Sequence, residues 1–189
     1  MSMLLYHAGY QVIQRPDVRH GRKNADLGQG FYLTADRDFA CRWTGLRKDE
    51  RAVLNTYSLS TEGLRVHRFD RGEAWFDYIF ANRRLRPDTL NADIVIGPIA
   101  NDTIYDTFGI ITSGFLDRRD SLRLLMIGPE YTQVALKTER AAEQLTWLDA
   151  AEIAPDDAEG FQRAVAQEQH TYQQLFAAEM ERISGREDG

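Results

Sequence analysis

Leu27-Gly28-Gln29-Gly30-Phe31-Tyr32-Leu33-Thr34 opens on two glycines one residue apart and closes on a short apolar run with a tyrosine at its centre. Glycines so spaced mark backbone that takes positive φ or passes close to another segment, and Phe31-Tyr32-Leu33 reads as a strand leaving that turn. The third glycine of a Rossmann fingerprint is missing. Upstream, Leu4-Leu5-Tyr6-His7-Ala8-Gly9 places a histidine at the end of a strand read over Met3 to His7. Downstream, Tyr131-Thr132-Gln133-Val134-Ala135-Leu136 belongs to a strand read over Tyr131 to Lys137 that carries an uncharged amide. Burying an unpaired amide costs about 1–3 kcal/mol, so Gln133 is expected to face solvent or a ligand.

Between these blocks the pattern alternates strands with amphipathic helices. Asp36 to Lys48 reads as a helix with Phe39, Ala40 and Trp43 on one face, where Trp43 is either core or a stacking surface at a pocket edge. Ala52 to Leu59 and Leu64 to Phe69 read as strands, the second putting His67 on its polar, surface side. Trp75, Phe76, Ile79 and Phe80 have the spacing of a core-facing helix over Glu73 to Asn82. Asp93 to Pro98 is a buried strand that opens into Ala100-Asn101-Asp102-Thr103, where Asn101 or Asp102 would cap a helix over Thr103 to Ile111. Helices are expected over Ser121 to Ile127 and over Thr138 to Leu148. A final helix begins at Pro155, with Phe161, Val165, Tyr172, Phe176 and Ile183 in one stripe.

The whole chain bounds its class. Its 189 residues, 43% hydrophobic and 28% charged, suit a soluble globular protein with one main core. No run of ~18 apolar residues and no secretory pattern are visible, so a cytoplasmic protein that does not engage a membrane is expected. Cys41 has no partner for a disulfide and reads as a buried structural thiol. The net charge of −6 is uneven: residues 1–138 carry +2 and residues 139–189 carry −8. Clusters at Arg15, Arg19, Arg22 and Lys23, at Arg83, Arg84 and Arg86, and at Arg118, Arg119 and Arg123 are either solvated surface or phosphate contacts. His7, His20, His67 and His170 lie too scattered for a metal site.

In their order and spacing, with Trp43 eleven residues beyond Tyr32, the motif blocks resemble the ADP-ribosyltransferase superfamily. In its diphtheria-toxin-like and poly(ADP-ribose) polymerase branch the pattern is strand-His-Gly, then Gly-x-Gly-aromatic-Tyr, then a second Tyr, then a strand bearing Glu. This chain has Ala8 for the first glycine, Trp43 for the second tyrosine and Gln133 for the catalytic glutamate. The resemblance covers roughly residues 3–148 and extends to an uncharacterised bacterial family, marked by Ile96-Gly97-Pro98-Ile99-Ala100-Asn101-Asp102 and often associated with toxin–antitoxin pairs.

It implies an α+β fold: a split mixed β-sheet core with flanking helices over residues 1–150, then an acidic C-terminal helical extension over 151–189. The implied activity is mono-ADP-ribosyl transfer, a glycosyl transfer in which NAD is substrate and a protein or nucleic acid is acceptor, with an antitoxin-like protein as further partner. His7 would bind the adenosine-side ribose and the Ala8 backbone the nicotinamide amide. Tyr32 and Trp43 would bracket the nicotinamide, and Gln133 would hydrogen-bond the ribose hydroxyl beside the breaking bond. Gly9, Gly30, Phe31 and Ala40 complete the implied NAD-binding set, and Asn101, Asp102 and Tyr105 form a second tier for the acceptor. Gln133 keeps the hydrogen bond of the family's glutamate and loses its charge. A module that binds NAD or ADP-ribose without turnover, and an NAD glycohydrolase, therefore stand as alternatives. RNA 2′-phosphotransferases share the fold but would want a more basic pocket.

Overall fold

The computed structural model describes residues 2–42, 51–101 and 116–185. In chain order these form β1 (Ser2–Gly9), β2 (Phe31–Leu33), α1 (Arg37–Arg42), β3 (Val53–Ser60), β4 (Val66–Arg68), α2 (Glu73–Arg83), β5 (Ile94–Pro98), α3 (Arg118–Leu125), β6 (Thr132–Leu136), α4 (Glu139–Glu143), β7 (Leu145–Glu152) and α5 (Pro155–Ser184). The class is α+β, with two sheets and a long C-terminal helix, as expected. None of the described helices is long and apolar enough to cross a membrane.

The chain divides into two compact units, one of Met1–Pro98 with Tyr131–Gln162, the other of Ile99–Glu130 with Arg163–Gly189. The first unit holds both sheets. Three strands run in the order β1-β3-β7 and four in the order β2-β6-β5-β4; only β4 and β5, joined through α2, are parallel. Period-two alternation sends Leu5, Tyr57, Leu59 and Leu145 inward from one sheet and Phe31, Leu33, Ile94, Ile96, Val134 and Leu136 inward from the other, into a common core. Each fully buried aliphatic or aromatic side chain there contributes about 1.5–3 kcal/mol. The remaining face of the four-stranded sheet is covered by Leu27, Phe69, Tyr78 and Leu90. On the outer face of the three-stranded sheet, Ala40 and Cys41 of α1 pack with Leu54, Ile153 and Ala158, and Cys41 is the buried thiol, outside any disulfide, that was expected.

Local chemistry places the helix ends. Asp36 Oδ1 accepts from the Phe39 amide at 2.9 Å, and Thr138 accepts from the Ala141 amide at 3.2 Å, each satisfying a free donor of the first turn. In α2, Trp75 is fully buried and donates from Nε1 to the Pro98 carbonyl at 2.8 Å. Asp93, at the entry to β5, accepts from the Arg65 backbone and guanidinium and from Thr138 Oγ1. The Arg65 hydrogen bond holds its carboxyl well below the usual carboxylate range.

Four expectations need correction or lie outside the described residues. The helix expected from Thr138 to Leu148 ends at Glu143, and Leu145–Glu152 is instead strand β7, paired antiparallel with β3 around a bulge at Thr56/Tyr57. Good helix formers at Glu139 to Gln144 carry only one turn; beyond it, burying Leu145 and Trp147 against β3 outweighs local propensity. His67 is half-buried, its ring edge-on to Phe69 at 4.4 Å, where a surface position was expected. The helix expected over Thr103 to Ile111 and the end of the one expected to reach Lys48 lie outside the described residues.

In the second unit, the α5 residues Tyr172, Phe176 and Ile183 are buried in the expected stripe. Asn101, fully buried, donates from Nδ2 to the carbonyls of Ile127 and Pro129, at 2.6 and 2.9 Å.

Candidate functional site

Strands β1 and β2 touch at one isolated bridge, where the Tyr6 amide donates to Thr34 O at 2.8 Å and the Thr34 amide to Tyr6 O at 3.0 Å. Next to that bridge, His7 Nδ1 lies 2.8 Å from the Tyr32 carbonyl. A carbonyl oxygen only accepts, so the proton sits on Nδ1 and Nε2 keeps its lone pair. The imidazole thus supplies across the split a hydrogen bond that the ladder does not. Burial holds its pKa below the ordinary value, against the opposing effect of that hydrogen bond, and His7 is neutral at physiological pH. Its ring lies 4.7 Å from that of Phe31, a core residue that meets Tyr57 edge-on at 5.9 Å.

Register brings Tyr32 and Gln133 to one face of the four-stranded sheet. Tyr32 pairs with Ala135, and Gln133, two residues along the same strand, pairs with Gly97. Alternation makes Gln133 the diagonal neighbour of Tyr32 on that face, roughly 7–8 Å away. Gln133 is half-buried, in keeping with an amide that is not sealed in a dry core. Tyr32 is also half-buried, and its hydroxyl donates to the Gly28 carbonyl at 2.6 Å. Burial, reinforced by the charge of Asp26, raises its pKa well above the ordinary value. The phenol is an anchored ring and not a proton donor to chemistry near neutral pH.

The turn that anchors Tyr32 explains both glycines. Gly28 takes φ +79°, a conformation that other residues adopt at a cost. At Gly30 a Cβ would stand 2.5 Å from the Leu136 carbonyl, so only a glycine lets β2 start beside β6. Of the other expected residues, Ala8 is half-buried against the outer cluster and Gly9 follows it at the end of β1. Ala40 is core. Asn101 belongs to the second unit, and Trp43, Asp102 and Tyr105 lie outside the described residues.

The basic clusters are partly spent on internal pairs. Arg83 is buried against Asp26 at 2.8 Å, with side chains 4% and 7% exposed. Arg19 meets Glu139 at 2.5 Å, Arg123 lies 3.7 Å from Glu179, and Arg84 stacks over the Phe80 ring at 5.1 Å. Where β6 leaves β2, a polar cleft of about 290 Å³ is lined by Val18, Arg19, Gln29, Lys137, Thr138 and Glu139.

The sequence does not single out Asp26, Tyr78, Asn82 and Lys137, which surround the Gly28 turn, and Arg83, expected as solvated surface or a phosphate contact, is buried there instead. Their positions in sequence, from 26 to 137, give no spacing signal.

Comparison with solved structures gives a crystal structure of the M. tuberculosis MbcT–MbcA toxin–antitoxin complex, 11% identical over 86% of this chain and 90% of that one, with a TM-score of 0.49. No curated protein matches the chain. Residues 3–147 match the family model described as "Protein of unknown function (DUF3990)", and with most of its length so covered the chain belongs to that family.

Proposed function

We propose that this protein is an NAD-dependent mono-ADP-ribosyltransferase, with His7, Tyr32 and Gln133 as its working residues. The reading is carried by the tie at the split between the sheets, where a neutral His7, with Nε2 left as acceptor, is bonded to the Tyr32 backbone carbonyl. Gln133 in turn shares the sheet face of the Tyr32 side chain. Nicotinamide leaves NAD⁺ as a neutral molecule, so the enzyme needs mainly to orient the ribose and to tolerate positive charge at its anomeric carbon. His7 Nε2 would accept from a ribose hydroxyl, the Tyr32 ring would hold the nicotinamide, and Gln133 would hydrogen-bond the hydroxyl beside the breaking bond. The reading keeps the macromolecular acceptor and the antitoxin-like partner that the resemblance implies, with Asn101, Asp102 and Tyr105 as acceptor-side candidates. Gln133 itself favours a second reading, a module that holds NAD with little or no turnover, because an amide provides no charge to offset an oxocarbenium ion.

Nicotinamide release from NAD⁺ by the purified protein tests the proposal. Tyr32→Ala is expected to lower release by about a hundredfold, the order of loss when a group that positions the reacting centre is removed. Tyr32→Phe, which keeps the ring and deletes only the bond to Gly28, is expected to lose far less. NAD binding without release selects the second reading. No binding, or release indifferent to Tyr32, refutes the assignment of the site.

A further inference from the structure

Three successive residues before β2 are held by side chains from three separate elements. The Asp26 carbonyl accepts from Asn82 Nδ2 at 2.9 Å, and its carboxylate accepts from Arg83 at 2.8 Å, both on or at the end of α2. The Leu27 carbonyl accepts from Lys137 Nζ at 2.5 Å, just beyond β6, with the Tyr78 hydroxyl oxygen 3.3 Å away. The Gly28 carbonyl accepts from Tyr32 itself, and the Gly28 amide closes the turn onto Ala25 at 2.8 Å. Asp88 ties the group together, lying 3.2 Å from Lys137 Nζ and accepting from the Tyr78 hydroxyl at 2.8 Å.

Lys137 is an expensive way to fill this position. Its side chain is 10% exposed, and burial lowers its pKa against the pull of Asp88. An unbranched apolar side chain would occupy much the same volume with no ammonium to desolvate, and such replacements of buried ions are often neutral or stabilising. Stability alone therefore does not account for the charge. A cation does account for it if the Leu27 carbonyl must be held at one place.

We infer that Lys137 is a positioning residue for the NAD site: by gripping the Leu27 carbonyl it fixes the turn on which the Tyr32 hydroxyl is anchored, and so sets the Tyr32 ring. The inference rests on the NAD reading above. Lys137 needs no contact with NAD for this; its effect passes through Leu27, Gly28 and the Tyr32 hydroxyl.

A double-mutant cycle read as NAD affinity by calorimetry tests it. Lys137→Met is expected to weaken binding about tenfold, the worth of one hydrogen bond from a charged group. In the Tyr32→Phe background, where the anchor is already cut, Lys137→Met is expected to cost nothing further. Tyr78→Phe, a milder change that removes the hydroxyl bonded to Asp88 beside Lys137, is expected to show the same dependence on the Tyr32 hydroxyl with a smaller loss, and it carries the cycle if Lys137→Met does not fold. Losses that multiply in the double variant overturn the inference, as does wild-type affinity in Lys137→Met alongside a lowered melting temperature. Wild-type affinity in Tyr32→Ala refutes the underlying site and the inference with it, whereas a Tyr32-dependent site indifferent to Lys137 refutes the inference alone.

Discussion

Replacing Gln133 with glutamate is expected to raise the rate of nicotinamide release by about a hundredfold to a thousandfold. Gln133 is half-buried on the sheet face it shares with Tyr32. An amide there can hold a ribose hydroxyl, but it does not stabilise positive charge at the neighbouring carbon. A carboxylate of the same length does both, and a single well-placed electrostatic group at a reacting centre is worth about 2.7–4 kcal/mol. The gain is expected in the rate of cleavage more than in the affinity for NAD, because the charge develops only in the transition state. Single-turnover release, measured beside NAD binding, separates the two. A Gln133→Glu protein that binds NAD like the parent and cleaves it no faster shows that position 133 does not face the reacting ribose.

The largest effect on stability is expected at Asp26. Arg83 and Asp26 are both nearly sealed from solvent, and the guanidinium donates to the carboxylate from Nε and Nη2. Removing the carboxylate takes from the buried guanidinium the partner it meets at 2.8 Å, and breaking such a buried pair costs about 3–5 kcal/mol. Asp26→Ala is expected to fall in that range by urea denaturation, with a melting temperature lower by roughly 2–4 °C per kcal/mol for a chain of this size. Asp26→Ala combined with Arg83→Met is expected to recover part of the loss, because the buried guanidinium is then removed together with its carboxylate. A loss below about 1 kcal/mol in Asp26→Ala shows that the pair is not what holds the Gly28 turn. Lys137 can position Tyr32 only through a turn that is held, so the two experiments bear on each other.

Much of the architecture is legible in the linear chain. Residues 31–33 were read as a strand and are one. The strands bearing His7 and Gln133, the helix of Trp75 and Ile79 and the final helix were all recognised, with ends displaced by a few residues at most. Each carries a strong local signal: an unbroken apolar run, a helical stripe, or glycine and proline at its borders. Strand β7 was not recognised. Its alternation is interrupted at the bulge, and its first residues follow a segment rich in helix formers, so its identity depends on a partner strand some ninety residues earlier. Phe31 and Ala40 illustrate a different limit: composition marks them as apolar, and their packing in the core follows only from which face they take.

The glycines at 28 and 30, the histidine closing an apolar strand and the amide on a later one are properties of the linear chain, because they follow from residue type, order and spacing. The placing of Gln133 beside Tyr32, the tautomer of His7 and the use of the Tyr32 hydroxyl as an anchor are not. Each depends on strand register, and a slip of one residue would turn every side chain of a strand to the opposite face. The grip of α2 and Lys137 on the Gly28 turn is still further from the linear pattern. Its members are scattered from position 26 to position 137 and meet only after the sheets and α2 have packed, when a buried carbonyl or carboxylate must find whatever donor the fold has brought within reach.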